Sequence, residues 1–305
     1  MGEQFSYAER DSTHLTLITL IFIGVLSAFA MTQLDVSELI VSSAITLQSS
    51  LVPLELILIW RFISVILGAS AIYYMLKIAQ GIMPVLLHHE RKEAIIRVVG
   101  FERFVTFSSW NLLLTIFYFL FAGIASLLFL MGYSIPLWLK ISEIVLLTAA
   151  LGTSFLTATV IRYVVIPEEV SLERNHDNLF QFHNQAMHNF AAIFLAIEII
   201  LVQPELSPLF ALFGLSAGLI YVAFAYVFAF FGGGYYVYSF IDPRLRYAPL
   251  LMGGLAGAIA VFYLGIWLVI QLMSFNLGIG AVFLIIWIAL IVQFSSVSFE
   301  KINPT

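Results

Sequence analysis

Residues 105–132 read VTFSSWNLLLTIFYFLFAGIASLLFLMG, and no position in that run carries a charge. A bilayer core needs about 20 apolar residues per helix, so the run is long enough to cross one. Its polar residues crowd into the first two turns: Thr106, Ser108, Ser109, Trp110 and Asn111. Beyond them the stretch is apolar almost throughout, which reads as a helix entering a membrane from a polar surface. Seven further stretches have the same character, and together the expected spans are 15–33, 52–79, 105–132, 141–165, 187–203, 207–231, 248–271 and 277–295.

The whole chain agrees with that reading. Of its 305 residues 62% are hydrophobic and 10% charged, with a mean hydropathy of +1.04. Soluble domains carry about 45–50% apolar and about 25% charged residues. A net charge of −5 with 13 basic residues leaves no basic stripe for nucleic acid. The absence of cysteine removes disulfides, thiolate metal sites and cysteine nucleophiles together. The expected fold is an all-α, polytopic transmembrane helical bundle forming one domain over residues 1–305.

Charge supplies the orientation. Threaded with eight spans and the N-terminus inside, the inner segments hold Arg10, Lys77, Arg91, Lys92, Arg97, Arg103, Arg162, Arg174, Arg244, Arg246 and Lys301. The outer segments hold Lys140. Cytoplasmic loops carry the excess of Lys and Arg, so both termini are expected in the cytoplasm. A cleavable signal peptide is the competing reading of residues 1–30, because Ala28-Phe29-Ala30 has a small-residue cleavage pattern. Glu3, Glu9 and Asp11 against Arg10 make a poor positive leader. Gly214-x-x-x-Gly218 and Gly253-x-x-x-Gly257 place small residues one turn apart, as helices that pack closely do.

Two charges fall deep within the expected spans, Arg61 and Glu198, at similar depth from opposite entries. Such residues need a reason, and a buried ion pair fixing two helices is favoured over a proton path. All six histidines fall on the inner side of the threading, and His188 enters a span above Ala191 and Ala192. His188 is either an interfacial histidine bonded to a loop carbonyl or part of a binding site. Spacing does not favour a helical metal pair, since His183 and His188 are five apart. A loop-and-helix metal cluster of His88, His176, His183 and His188 stays as a minor alternative. Haem and retinal lack their facing histidines and their mid-span lysine, and no cofactor or metal is expected.

Asn184-Gln185-Ala186-Met187-His188, followed ten residues later by Glu198, resembles the N-x-x-M-H…E signature of the androgen-induced membrane protein family. Arg103-Phe104-Val105-Thr106-Phe107 resembles that family's W-K-F-L-T-F stretch. Gly234-Tyr235-Tyr236-Val237-Tyr238-Ser239-Phe240 is similar to its G-x-W-V-Y-P-F stretch. The better-studied members are transmembrane threonine hydrolases of fatty acid esters of hydroxy fatty acids. The resemblance implies Thr106 as nucleophile and His188 as its base. Where the family's histidine is followed by a Thr-Thr pair, this chain has Asn189-Phe190.

The chemistry suits the positions. A threonine hydroxyl needs an adjacent base, and histidine serves near neutral pH. Both residues are expected at headgroup level, where a lipid ester presents its carbonyl. Trp110 and Asn111 are candidate oxyanion donors, and Asn184 a candidate to orient the His188 ring. The expected function is a membrane-embedded lipid-ester hydrolase at the cytoplasmic interface. Its partners would be a lipid substrate and the bilayer, in an endomembrane or the plasma membrane if the cell is eukaryotic. The alternative is a non-enzymatic multi-pass protein that binds lipid or carries a solute.

Overall fold

The computed structural model describes residues 7, 11–42, 49, 51–174 and 176–295. Glu3, Glu9, Arg10 and Lys301, which entered the sequence reading, lie outside them. Among the described residues seven helices are long and apolar enough to cross a membrane, making this a multi-pass membrane protein. In chain order, α1 spans Thr13–Gln33, the short α2 Val36–Ser42 and α3 Leu54–Lys77. Strands β1 (Ile82–Leu87) and β2 (Glu93–Arg97) follow, then a 3-10 turn, Gly100–Val105. Next come α4 (Phe107–Leu130), α5 (Leu137–Val160) and α6 (Ile166–Ser171). Short α7 (Phe182–Gln185) runs into α8 (Ala191–Val202), and α9 (Ala211–Phe231) leads to β3 (Tyr235–Tyr236). The chain closes with α10 (Ala248–Phe275) and α11 (Leu277–Ile291).

The expected span positions hold to within a few residues at most ends, and three differ for physical reasons. The fourth was expected at 141–165. It runs from Leu137 to Ser171, because a π-turn at Ile161–Val165 carries the helix on into α6 with Pro167 in its first turn. The fifth was expected at 187–203 and begins at Phe182, five residues earlier, through a second π-turn at Ala186–Phe190. The eighth, α11, has 15 residues. At 1.5 Å per residue that is about 22 Å, short of a hydrocarbon core of about 30 Å.

One element was not expected at all. Between the expected spans at 52–79 and 105–132, β1 pairs antiparallel with β2 from Ile82↔Arg97 to Leu86↔Glu93. On its other side β1 pairs with β3 through Leu86↔Tyr236 and Leu87↔Tyr235. The order β2-β1-β3 ties the segment after α3 to the segment after α9. The signal was the alternation in Glu93-Ala94-Ile95-Ile96-Arg97, exposed at odd and half-buried at even positions. Gly81 enters the hairpin at φ +71°, and a Cβ there would lie 2.3 Å from the Val98 carbonyl oxygen. The fold is therefore a helical bundle with a small sheet at one end, called here the sheet end.

α5 is the central helix. Its membrane window is 72% buried, against 11% for α1, which leaves α1 to the lipid. Leu147, Ala150, Leu151 and Phe155 of α5 meet Leu195 and Ile199 of α8 and Tyr263 and Ile266 of α10 in the main apolar core. Gly214 and Gly218 do receive α10: a Cβ on either would come within 3.0 or 2.6 Å of the Ile259 side chain. Gly253 and Gly257 meet nothing within 4 Å, so the second small-residue stripe does not take part in that packing.

α4 crosses this core with a buried stripe that is polar for most of its length. Ser108, Asn111, Thr115, Tyr118, Ala122 and Ser126 follow one another at three- and four-residue steps, and all are buried. That spacing puts them on one helix face. The stripe begins at the sheet end and finishes at the opposite, far end, with a polar centre at each.

Candidate functional site

Thr106 is the N-cap of α4, with extended backbone angles of φ −83° and ψ 146°. Its hydroxyl accepts the Ser109 N–H at 3.1 Å and donates to Ser109 Oγ at 3.1 Å. Ser109 in turn donates its hydroxyl to the Thr106 carbonyl at 2.7 Å. Threonine is a favoured cap because its oxygen satisfies one of the orphan amides of the first turn. The expected Thr106–His188 hydrogen bond is absent among the described residues.

His188 meets a different hydroxyl. Its Nε2 lies 3.1 Å from Ser108 Oγ, and the ring is buried. Its Nδ1 is buried without a hydrogen-bond partner. The ring owes its place to the π-turn at Ala186–Phe190. Such a turn widens the helix by one residue and leaves carbonyls free for outside donors. Asn111 takes one of them: its amide donates to the Met187 carbonyl at 3.3 Å. The Asn111 carbonyl oxygen accepts the Thr153 and Ser154 hydroxyls at 2.8 and 2.9 Å. One buried amide thus joins α4, α5 and the segment that carries His188.

The expected supporting residues have other partners. Asn111 is this tether. Trp110 donates its indole N–H to the Phe104 carbonyl at 2.9 Å, closing the 3-10 turn before α4. Asn184 donates to the Asn178 carbonyl in the preceding loop. None of the three amide or indole donors points at the His188–Ser108 pair.

Ser108 also lines an apolar cavity of about 80 Å³. Leu156 and Thr157 of α5, Val222 of α9 and Met252 and Leu255 of α10 form its walls. The Thr157 hydroxyl is buried there without a partner. Tyr238 also lines the cavity, with the Ser108 hydroxyl and the Phe107 and Ser108 amides acting on its phenol as donors. Burial raises the pKa of this phenol, and those donors draw it partly back. Ala191 and Ala192, below the His188 ring, are buried and do not line this cavity.

The loop that carries Tyr238 is held by a buried salt bridge. Asp242, fully buried, receives Arg244 Nε on Oδ1 at 2.8 Å and Nη2 on Oδ2 at 2.6 Å. Tyr7 donates its hydroxyl to Asp242 Oδ2 at 3.0 Å, and Arg244 donates to the His88 carbonyl at 2.7 Å. Burial, together with Asp242, pushes the Tyr7 phenol up to about 12. Burial next to Arg244 holds His88 below its ordinary imidazole value. The histidines do not gather: His88 packs on His89 and Tyr236, and His183 stacks on Tyr74. Among the described residues no three His, Asp or Glu side chains form a metal-binding group, so the minor metal-cluster alternative is not assembled.

At the far end, Arg61 and Glu198 pair as expected. Arg61 Nε and Nη2 reach Glu198 Oε1 at 2.8 and 2.7 Å, with each side chain 1% exposed. The Tyr118 hydroxyl donates to the same oxygen at 2.9 Å. Arg61 Nη1 donates to the Ala122 carbonyl and to Ser126 Oγ. Both charges were expected near mid-membrane. Arg61 lies seven residues from the start of α3, about 10 Å, and Glu198 four from the end of α8, about 6 Å. The pair is therefore nearer the far surface than expected, while the match in level holds.

Sequence reasoning missed Ser108 as the histidine's partner, Tyr238 beside it, and Tyr118, Ser126 and Glu143 around Arg61. The α4 stripe was the available signal, since its three- and four-residue steps are visible in residues 108–126. No family model, no curated protein and no solved structure matches this chain.

Proposed function

We propose that the protein is a membrane-embedded hydrolase of lipid esters, with Ser108 as the attacking hydroxyl and His188 as its base. The observation that carries this reading is the 3.1 Å approach of His188 Nε2 to Ser108 Oγ at the wall of an apolar cavity. A hydroxyl becomes a nucleophile when an adjacent base takes its proton. In the first step Ser108 Oγ bonds to the ester carbonyl carbon and its proton passes to His188 Nε2. The carbon–oxygen bond to the alcohol then breaks, and the alcohol leaves with that proton. In the second step His188 takes a proton from water, whose oxygen bonds to the acyl carbon; the bond from that carbon to Ser108 Oγ breaks, the acid leaves, and His188 returns the proton to Ser108 Oγ. The Phe107 and Ser108 amides, which lack acceptors within their own helix and face Tyr238 at rest, suit the oxyanion of both steps.

The cavity bears on the substrate. Its 80 Å³ is about half of an engineered cavity of roughly 150 Å³ that admits benzene. It suits the acyl segment next to the carbonyl, with the rest of a long chain lying outside it. The resemblance of the segments around Thr106, His188 and Tyr238 to the androgen-induced membrane proteins supports the same reaction class, with the nucleophile moved two residues along. The Lys/Arg asymmetry supports both termini in the cytoplasm and α11 as an eighth crossing.

A fluorophosphonate probe on membranes tests the reading. Ser108 is the expected labelled residue by peptide mass spectrometry, with label lost in Ser108→Ala and His188→Gln and kept in Thr106→Ala. Label on Thr106 would return the nucleophile to the position the resemblance implies. A second reading, lipid binding or solute carriage without chemistry, draws on the unpartnered His188 Nδ1, which lacks the orienting acceptor of a complete triad. A folded protein that neither labels nor hydrolyses any lipid ester would favour it.

A further inference from the structure

The far-end centre contains a third charge that the ion pair does not account for. Glu143, on α5, is 4% exposed, and its Oε2 is buried with no hydrogen-bond partner. The same holds for Glu198 Oε2, because all three donors to Glu198 converge on Oε1. Glu143 makes no ion pair with Arg61, yet its charge acts on Arg61 and Glu198 across the interior, and the three are referred to together as the nest.

Charge counting makes the nest incomplete. One guanidinium against two carboxylates leaves one net negative charge in an apolar interior. An isolated buried carboxylate is strongly unfavourable, and intramembrane acids are retained where they bind something. The groups that face Glu143 from the packed elements are Arg61 of α3, Tyr118 of α4 and Glu198 of α8, with Lys140 one turn away on α5 itself. Arg61 and Tyr118 already donate to Glu198. Among the described residues nothing donates to Glu143.

We propose that Glu143, Glu198 and Arg61 form an intramembrane site that binds one exchangeable proton shared in charge balance between the two carboxyls. With Glu198 ionised against Arg61, the proton resides on Glu143. It comes from water at the far end and returns there; the carboxyl O–H bond forms and breaks, and no other atom changes. Glu143 lies six residues from the start of α5, about 9 Å, which keeps it within reach of that surface. The site is independent of the Ser108–His188 chemistry.

Infrared spectroscopy of the purified chain in nanodiscs, in water and in deuterium oxide, reads the C=O stretch of a protonated carboxyl. The wild type at pH 7 should show one such deuterium-sensitive band. Glu143→Gln should remove it. Glu198→Gln should remove it too, because Arg61 then balances an ionised Glu143. Absence of the band in the wild type overturns the proposal, as does its loss on adding sodium, which would make the nest a cation site. Survival of the band in Glu198→Gln overturns the shared balance and leaves a carboxyl neutral through burial alone. The wild-type spectra and sodium titration decide the first two outcomes even if a variant fails to fold.

Discussion

Two polar centres terminate the same stripe of α4, and they are built in opposite ways. At the far end one oxygen of Glu198 receives three donors, and Arg61 has further bonds to Ala122 and Ser126. At the sheet end His188 has one side-chain partner, Ser108, and an idle Nδ1. The far-end pair is buried, each side chain 1% exposed, while Ser108 borders a cavity. A charge pair whose donors converge on one oxygen fixes helix packing, since separating it strands a charge in a low-dielectric interior. A sparsely bonded hydroxyl–imidazole pair next to empty space has room for a reacting group. The contrast assigns structure to one end and chemistry to the other, and each assignment has its own measurement.

The largest expected effect is on turnover at the sheet end. Ser108→Ala and His188→Gln should each lower lipid-ester hydrolysis by about 10²–10⁴-fold, the range of a lost base-assisted step. The double variant should be little worse than either, because the two act as a unit. Thermal unfolding in detergent should change far less than activity does. Equal losses of fold and turnover would make the sheet end structural too, and the contrast would collapse.

The far end should respond the other way. Arg61→Leu should destabilise the protein by about 3–5 kcal/mol, because it strands Glu198, and Glu198→Gln by less, because Glu143 then balances Arg61. The double variant should recover part of that loss. Strictly additive losses, measured by unfolding in a chemical denaturant, would mean that the 2.7 Å contact carries no coupling.

The two ends also differed in how much the sequence exposed. The bundle was legible because apolar runs of 20 or more residues have few other meanings. Arg61 and Glu198 were legible as a pair because a charge in such a run stands out. Ser108 was not, because membrane serines usually bond back to their own helix, as Thr115 and Ser126 do here with Asn111 and Ala122. Thr106 and Ser108 are two residues apart, so they face different sides of the helix start, and the π-turn decides which of them His188 meets. A π-turn has no reliable sequence mark. The sheet was hidden for another reason: β1 is a short apolar run, and its partner β3 is two residues long and lies far along the chain.

Asn111 lies between the two ends on the α4 stripe, so its removal tests how the site is held. Asn111→Leu strands the Ser154 hydroxyl and the Met187 carbonyl, while Thr153 keeps its bond to the Ala149 carbonyl at 2.8 Å. Interhelical hydrogen bonds in membrane proteins contribute about 0.6 kcal/mol on average and at most about 1.7. A stability loss of about 1–2 kcal/mol is expected. Turnover should fall further than that loss of fold alone explains, because the π-turn that presents His188 is released. Asn111→Asp should keep the acceptor side toward Thr153 and Ser154 and lose the donor to Met187. A variant with normal turnover and reduced stability would show that His188 is positioned without this tether.

The smallest effect expected is at Thr106, and it separates the two candidate hydroxyls. As the N-cap of α4, Thr106 satisfies the Ser109 amide at 3.1 Å, a contact whose removal costs about 1 kcal/mol. Thr106→Ser retains a capping oxygen and should match the wild type in stability. Thr106→Ala should lose about that 1 kcal/mol and retain most hydrolysis, because Ser108 and His188 keep their approach. If Thr106 were instead the nucleophile, Thr106→Ala would erase turnover while Thr106→Ser rescued it. Ser108→Ala would then leave the probe label in place. Stability and turnover measured on the same three variants therefore decide whether the residue that starts this helix caps it or reacts from it.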